Sequence, residues 1–210
     1  MVKWLTDAFE RLSHCKSKHE NCIVSVMDKI LEQIRDFADK AHGDQLRKYS
    51  PERYIAHPVR VMETCQKYSA STPVLAAALL HDVLEDTEVS SEELKDYLLS
   101  VMSEVDVGPT LKLVTELTDV YTKKNYPRLN RKRRRVKEAE RLANSSADAQ
   151  TIKYADIMDN CKAIAGQDSD FAPVFLEECK LLLDQMTKGN SELRQQALRV
   201  VNEEMQQLQQ

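Results

Sequence analysis

A chain of 210 residues with a hydrophobic share of 42% is long enough to form a domain around its own core, and this composition excludes global disorder. Four glycines and six prolines are too few turn residues for an all-β sandwich or a glycine-rich dinucleotide-binding fold. The net charge of −4 argues against a general nucleic-acid-binding protein.

Three features bear on the compartment. The longest apolar run, Val74 to Leu80, has seven residues, whereas a membrane span needs about 18. The start of the chain carries acids and lacks a long apolar run, so we expect no secretory signal there. The five cysteines form an odd, scattered set without a CxxC pair, which suits reduced thiols. We therefore expect a cytoplasmic protein without a membrane partner.

Apolar residues at helical spacing predict α-helices along almost the whole chain. The first long helix ends before the loop around 43–51, and its apolar stripe consists of Ile23, Met27, Ile30, Leu31, Ile34, Phe37, Ala38 and Ala41. Helices are expected to follow Pro58 and Pro73, and the run 74–80 is apolar on all sides, which predicts a central buried helix. Ser90 is expected to cap the next helix, and Gly108-Pro109 to break the chain.

The second half continues this pattern. We expect a stripe through Leu111, Val114 and Leu117, a loop at 125–127, a helix capped by Ser145-Ser146, and two amphipathic C-terminal helices separated at Gly189-Asn190. Neither an internal repeat nor a long linker is evident. The sequence therefore predicts a single all-α domain over 1–210, with a core that carries the motifs at about 25–165 and C-terminal helices over 170–208.

The sharpest motif is ALLHDVLEDT (78–87), in which an apolar helix ends in one histidine and three acids. These residues are spaced to edge one cavity: His81, Asp82, Glu85 and Asp86. Like charges this close would repel one another, and a divalent cation would remove the repulsion. The competing interpretation is an exposed acidic turn at a helix end.

Two further motifs contain candidate ligands. His57 in YIAHP (54–58) precedes a helix-starting proline, where a capping or buried neutral histidine is the alternative. Asp156 in IKYADIMDN (152–160) interrupts an apolar stripe, where a buried aspartate paired with an arginine is the alternative. Together with His81 and Asp82 they form a set of two imidazoles and two carboxylates, which suits Mn²⁺, Fe²⁺ or Zn²⁺ rather than Ca²⁺.

Five segments, in this order, carry a family resemblance: AHGDQLRK (41–48), RYIAHPVRV (53–61), AAALLHDVLEDT (76–87), ELTD (116–119) and IKYADIMDN (152–160). They resemble HD-domain metal-dependent phosphohydrolases and, within these, the hydrolase domain of RelA/SpoT proteins and the stand-alone small alarmone hydrolases of the stringent response. The resemblance implies an all-α HD-domain helical bundle with two extra C-terminal helices. It also implies Mn²⁺-dependent removal of the 3′-pyrophosphate of (p)ppGpp, which gives GDP or GTP and pyrophosphate.

Carried over residue by residue, the resemblance gives roles to individual side chains. It implies four metal ligands: His57, His81, Asp82 and Asp156. Glu85 and Asp86 match a pair that orients or deprotonates the attacking water. Arg47 and Lys48 match a pair near the guanine and ribose, and Asn160 matches an asparagine of the nucleotide pocket. Asp44 and Arg53 depart from the family pattern in the loop expected to face the base.

Other interpretations stay open. An HD phosphohydrolase could act instead on a ppApp-type alarmone, the 2′-phosphate of NADPH or a nucleoside monophosphate, and a non-catalytic nucleotide sensor is a different class. The segment 128–141 has eight basic residues and suits a solvated helix face, a phosphate contact or an RNA-binding patch. The residues Cys15, His19 and Cys22 share one helical face but lack a zinc knuckle. We expect a small nucleotide as partner and no nucleic acid, and the oligomeric state is open.

Overall fold

The fold is a bundle of α-helices, seen in a computed structural model that describes residues 27–68, 71–164 and 167–208. Helix α1 covers residues 27–42 of the described chain. The helices that follow are α2 (Ala56–Gln66), α3 (Thr72–Leu80), α4 (Val83–Asp86), α5 (Ser91–Val101), α6 (Glu104–Leu117), α7 (Arg131–Ala143), α8 (Ala147–Ile164), α9 (Ala172–Gln185) and α10 (Ser191–Gln207). Within these ranges the strand-like pairing is limited to an isolated bridge between Leu46 and Arg53.

Helix α3 is the centre of the core, as its all-apolar surface predicts. Every side chain from Val74 to Leu80 is buried, and the helix packs against α2, α6 and α8. A helix that is apolar on all sides is stable only when neighbours cover each side. Helices α2, α6 and α8 therefore cover α3, whose C-terminal end leads into the HD motif.

The predicted stripe of α1 is confirmed for the residues that the structure describes. Leu31, Ile34 and Ala38 are buried, while Ile23 lies outside the described residues. Phe37 stacks on Tyr97 of α5 with ring centroids 4.0 Å apart, and the Tyr97 hydroxyl donates to the backbone carbonyl of Gln33. Helix α1 is thereby attached to α5.

The expected chain break at Gly108-Pro109 is wrong, because α6 runs through both residues. A proline in a helix disfavours helical backbone at the preceding residue through contact with its Cβ, and glycine at 108 has no Cβ. Pro109 also gives up only the hydrogen bond to the carbonyl of Val105, and Val105 is 80% exposed, so water can solvate that carbonyl.

The caps predicted at Ser90 and at Ser145-Ser146 are confirmed, and so is the separation of the last two helices at Gly189-Asn190. Ser90 and Glu93 form a reciprocal capping box at the start of α5. The Ser146 hydroxyl accepts a hydrogen bond from Ala149 N before α8, and the Asn190 side chain caps α10. These local signals set the helix starts that position the second half of the bundle.

Helix α8 and the C-terminal helices pack on one another. Helix α10 contacts α8 and α9, and α9 also contacts α7. The Tyr154 hydroxyl of α8 donates to the carbonyl of Met186, and a Cβ at Gly189 would lie 2.5 Å from the Tyr154 ring. Only glycine allows this approach, so the turn before α10 sits directly on α8.

Two expectations concern cysteines and membranes. Cys65, Cys161 and Cys179 are buried free thiols, as predicted for small core residues, whereas the possible zinc segment with Cys15, His19 and Cys22 lies outside the described residues. Among the helices of the described chain, none is both long enough and apolar enough to cross a membrane.

Candidate active site

His57 lies in the first turn of α2 and its ring is fixed by a carboxylate. Its Nδ1 is 2.7 Å from Oδ2 of Asp159 on α8, and Arg60 in turn donates to Oδ1 of Asp159 at 2.6 Å. Burial alone would raise the pKa of Asp159, but the hydrogen bonds from His57 and Arg60 outweigh it and lower the pKa to about 2. An ionised Asp159 accepts a hydrogen bond from the N–H at Nδ1 of His57. In the neutral ring, the lone pair is then on Nε2, on the other side of the ring.

His81 and Asp82 form the junction between α3 and α4. His81 Nδ1 is 2.8 Å from the carbonyl oxygen of Ala78. A carbonyl can only accept, so Nδ1 carries a proton, and in the neutral ring Nε2 carries the lone pair. Oδ2 of Asp82 lies 3.1 Å from that Nε2 and accepts a hydrogen bond of 2.7 Å from the Tyr54 hydroxyl.

The structure brings together the four side chains that the sequence singled out. Ligand atoms of His57, His81 and Asp82 lie within 4.8 Å of one another. Oδ1 of Asp156 is 3.2 Å from Nε2 of His57 and 3.8 Å from Nε2 of His81. Residues from α2, the α3–α4 junction and α8 therefore converge on one point.

The donor set of this cluster fits a divalent cation. Nε2 of His57 and of His81 is buried and has no hydrogen-bond partner among the residues that the structure describes, although carboxylate oxygens lie nearby. A lone pair that faces a carboxylate is repulsive unless a proton or a metal ion lies between them. The cluster of His57, His81 and Asp82 is thus a candidate divalent-metal site. Glu85 and Asp86 are exposed, as the competing interpretation of an acidic turn expects.

Asp156 makes two additional contacts within α8. Its Oδ2 is 2.8 Å from the ammonium of Lys153, and its Oδ1 accepts a 2.5 Å hydrogen bond from the Asn160 side chain. Burial raises the pKa of Asp156, but the ammonium of Lys153 beside it helps to hold that pKa well below the ordinary value. The alternative of a buried aspartate paired with an arginine is therefore replaced by a lysine partner and the two histidines.

Glu85 and Asp86 lie on α4 and line a cavity of about 220 Å³ together with Asp82 and Asp156. Glu85 Oε2 accepts a hydrogen bond from the backbone N–H of Asp119 at 3.1 Å. Glu85 is open to solvent within the cavity, yet the surrounding protein and the charge of Asp119 raise the pKa of its carboxyl to about 7. Burial and Asp82 likewise raise the pKa of Asp86.

A second, larger cavity of about 600 Å³ contains the three predicted substrate residues. Arg47 donates to Oδ1 of Asn160 at 2.8 Å, which links it through Asn160 to Asp156. Lys48 lies farther out, with its side chain 67% exposed and its ammonium 5.1 Å from the centre of the Phe171 ring. The two cavities share three lining residues: Tyr54, Asn160 and Phe175.

Asp44 and Arg53, the two residues that depart from the family pattern, lie in the loop that follows α1. Arg53 donates to the carbonyl of Gly43 and pairs with Asp39 at 2.9 Å, so it secures the loop to the end of α1. Neither Arg53 nor Asp44 is among the described residues that line the larger cavity. The loop that carries them contributes other residues to that cavity, and the expectation that this loop faces the base stays a prediction.

Several site residues escaped the sequence analysis. Asp159 lies one turn after Asp156, and this spacing was a usable signal for a second carboxylate on the same helix face. Asp119 belongs to the quoted ELTD segment, but no role was given to it. Arg135 lies in the basic segment 128–141, for which a phosphate contact was one interpretation, but the sequence did not single it out. Three other lining residues lie at the start of α9 or on it, where the sequence gives no local signal: Phe171, Phe175 and Glu178.

A family model described as an HD domain matches residues 35–181. The chain therefore belongs to the HD-domain family. Within this family it is similar to human guanosine-3′,5′-bis(diphosphate) 3′-pyrophosphohydrolase MESH1, with 36% identity over 137 residues, 63% of this chain and 68% of that protein. The Drosophila melanogaster protein of the same name is 36% identical over 138 residues, which are 64% of this chain and 68% of that protein.

A solved structure supports the same placement. It is described as a metazoan orthologue of SpoT that hydrolyses ppGpp, and it matches with a TM-score of 0.67 and 26% identity over 83% of this chain and 94% of that one. The predicted resemblance to SpoT-related hydrolases and the all-α HD bundle are thereby confirmed.

Proposed function

We propose that this chain is a divalent-metal-dependent hydrolase that removes the 3′-pyrophosphate of guanosine alarmones and converts (p)ppGpp to GDP or GTP and pyrophosphate. The observation that carries the proposal is the cluster in which the buried Nε2 lone pairs of His57 and His81 face carboxylate oxygens. The similarity to proteins named guanosine-3′,5′-bis(diphosphate) 3′-pyrophosphohydrolase supports the choice of substrate.

His57, His81, Asp82 and Asp156 would hold the metal ion, with Mn²⁺ as the proposed species and Fe²⁺ or Zn²⁺ compatible with the same nitrogen and oxygen ligands. When bound, such a cation acidifies water and draws charge from a phosphoryl oxygen. The protein contributes the ligand orientation. Asp159 fixes the ring of His57, and the Ala78 carbonyl fixes that of His81.

Glu85 is the proposed proton acceptor for the attacking water. Its carboxyl faces the smaller cavity, and the backbone N–H of Asp119 holds one oxygen in place. A carboxyl with its pKa near 7 takes up a proton from water more readily than an ordinary glutamate. Asp86 lies on the same short helix and would help to orient the water. Phosphoryl transfer needs little covalent assistance, so positioning and charge neutralisation provide most of the rate enhancement.

The larger cavity is the proposed place of the base and ribose. Arg47 and Asn160 reach it from the side of the metal cluster, and Phe171 and Phe175 provide apolar surface for a purine. Lys48 stands at the rim, where it would meet a phosphate or a ribose hydroxyl. The reduced buried thiols are consistent with a cytoplasmic enzyme.

The metal site is tested by metal analysis of the purified protein. We expect about one Mn²⁺, Fe²⁺ or Zn²⁺ per chain, and loss of stoichiometric metal in the His81→Ala/Asp82→Ala double variant. His42→Gln is the control, because His42 stacks on Tyr54 and lies outside the cluster. Full metal occupancy in the double variant would contradict the assignment.

The substrate is tested with a panel of nucleotides. Mn²⁺-loaded protein is given ppGpp, pppGpp, ppApp, NADPH and deoxynucleoside monophosphates separately, and the products are resolved by ion-exchange chromatography. We expect GDP and pyrophosphate from ppGpp, loss of activity with a chelator and its return with Mn²⁺. Turnover of NADPH or a monophosphate without release of pyrophosphate from any 3′-pyrophosphorylated nucleotide would assign a different substrate.

A further inference from the structure

The basic segment of α7 divides into side chains with different surroundings. Arg141 pairs with Glu138 and donates to the carbonyl of Glu116, and Arg134 donates to the carbonyl of Leu129. Lys132, Arg133 and Lys137 line a separate groove on the outer side of the helix. Among the described residues of α7 with a positive charge, Arg135 is the one that lines the smaller cavity beside the metal cluster.

Arg135 is held in place by two acids. Its Nη1 donates to Oδ2 of Asp119 at 2.9 Å, and its Nε lies 3.4 Å from Oε2 of Glu178. Glu178 is itself fixed by Arg131, which donates to both of its carboxylate oxygens at 2.7 and 2.8 Å. The guanidinium is therefore pre-positioned, which lowers the entropy lost when it binds a ligand.

The guanidinium can still be reached by a ligand. The Arg135 side chain is 34% exposed, and its Nη2 has no hydrogen-bond partner among the described residues. An arginine has five N–H donors in a planar fork that matches phosphate oxygens. The other cation in the lining of this cavity, Lys153, is engaged with Asp156. Arg135 is thus the positive charge available to a second ligand group.

The cavity needs such a charge if a phosphate is to enter. Asp82, Glu85, Asp86, Asp119 and Asp156 all line it, and these acids would repel an anion. Its volume of about 220 Å³ is little more than a third of the 600 Å³ of the adjoining cavity. This space suits a phosphate group with a few waters rather than a purine nucleoside, for which the adjoining cavity offers about 600 Å³.

We propose that Arg135 binds the terminal phosphate of the 3′-diphosphate and thereby selects diphosphorylated over monophosphorylated 3′ ends. The inference rests on the proposed function. A contact chain from Glu85 through Asp119 to Arg135 sets the terminal phosphate next to the water that Glu85 activates. The inner phosphorus then lies at the metal cluster.

This arrangement explains why the two phosphates leave together as pyrophosphate. The oxygen of water bonds to the inner phosphorus, and the bond from that phosphorus to the 3′ oxygen breaks. One proton of the water passes to Glu85, and the other passes to the 3′ oxygen, which becomes a hydroxyl. Pyrophosphate leaves as one unit. Arg135 offsets the charge of the outer phosphate, whose own bonds stay intact during the reaction.

The test compares Arg135→Gln with Arg135→Lys and with the control Arg133→Gln on the outer face of the same helix. Glutamine removes the charge but keeps an N–H donor for Asp119, which protects the fold. We expect Arg135→Gln to raise KM for ppGpp about 10- to 100-fold, the range of one charge-assisted hydrogen bond. For guanosine 5′-diphosphate 3′-monophosphate, the KM of Arg135→Gln should rise by less than about threefold. Arg135→Lys should have a KM for ppGpp between those of wild type and Arg135→Gln. Arg133→Gln should have the KM of wild type for both substrates.

Binding of pyrophosphate by calorimetry separates this inference from the proposed function. Wild-type Mn²⁺-loaded protein should bind pyrophosphate, and Arg135→Gln should bind it at least about tenfold more weakly. Equal affinity of the two proteins, or equal effects of Arg135→Gln on the diphosphate and monophosphate substrates, would overturn the role of Arg135. If wild type fails to cleave ppGpp but the pyrophosphate result holds, the proposed function falls while the anion site stands.

Discussion

Asp159 holds the imidazole of His57 by a hydrogen bond of 2.7 Å, although the two residues lie 102 positions apart in the chain. The carboxylate determines which ring nitrogen carries the proton. It therefore determines whether the other nitrogen can bind a metal ion.

Replacing this carboxylate should weaken metal binding without removing a ligand. In Asp159→Asn the amide is a weaker acceptor and can present its NH₂ group to Nδ1, so the lone pair of His57 is no longer directed at the cluster. We expect Mn²⁺ affinity to fall about 10- to 100-fold, measured by competition with a chelating dye. Asp148→Asn, an exposed residue of the same helix, serves as the control, and unchanged affinity in Asp159→Asn would refute the orienting role.

Glu85→Gln should keep the metal and the fold but lose turnover. Glutamine has nearly the same shape and cannot accept a proton, and general-base assistance is worth about 10²- to 10⁴-fold. The measurement is kcat together with metal content, with Glu88→Gln as the exposed control nearby. If the Glu85→Gln variant lost its metal instead, Glu85 would be a ligand, and full activity would rule out the base role.

The pH profile should follow the same carboxyl. Because the surrounding protein and the charge of Asp119 raise the pKa of Glu85 to about 7, the carboxyl is mostly protonated below that pH and cannot accept a proton from water. We expect kcat to rise with pH up to the pKa and then to level off. A bound cation shifts this limb to lower pH but leaves its direction unchanged. The rising limb should disappear in Glu85→Gln, and its persistence there would assign it to another group.

Arg47→Ala should affect binding more than chemistry. Arg47 lines the larger cavity and is linked to the cluster through the side chains of Asn160 and Asp159. We expect KM for ppGpp to rise more than kcat falls. Arg53→Ala is the matched control, because Arg53 lies in the same loop but pairs with Asp39. A loss confined to kcat in Arg47→Ala would place Arg47 at the reacting phosphate instead.

Gly189→Ala should destabilise the protein. The new Cβ would lie 2.5 Å from the Tyr154 ring and 2.9 Å from the backbone nitrogen of Thr151, and overpacking of this kind costs about 1–3 kcal/mol. The free energy of unfolding is measured by urea denaturation. Thr187→Ala, exposed in the same loop, should change it by less than about 0.5 kcal/mol, and an equally small effect of Gly189→Ala would contradict the close packing.

The sequence predicted those parts of the molecule that depend on local pattern. The all-apolar surface of α3 indicated the buried centre, and charged groups at its end indicated the site, because both signals lie within a few residues of one another. The partner of His57 was missed, since a histidine 102 positions away from Asp159 becomes its neighbour only through the packing of α2 against α8. Phe175 and Glu178 were missed for the same reason. Their spacing on α9 is that of an ordinary amphipathic helix, and only the contact of α9 with α7 and α8 brings them to the cavities.

At Pro109 a strong local signal gave a wrong prediction. The dipeptide Gly108-Pro109 is a common helix end, and local rules alone favoured a break. The helix continues because Gly108 relieves the steric contact and because the unpaired carbonyl lies at an exposed residue. Solvent exposure of Val105 is a property of the assembled bundle that the local pattern does not contain.

Tyr54, Asn160 and Phe175 line both cavities, so the metal cluster lies where a large chamber and a small one meet. Under the proposed reaction, the bond that breaks lies at this junction, and the two products find themselves on opposite sides of it as soon as they separate. Each cavity would then hold one product, so that the nucleotide and pyrophosphate could leave independently of each other. Each product should consequently inhibit while the other is still bound, and the order of release should be random rather than fixed.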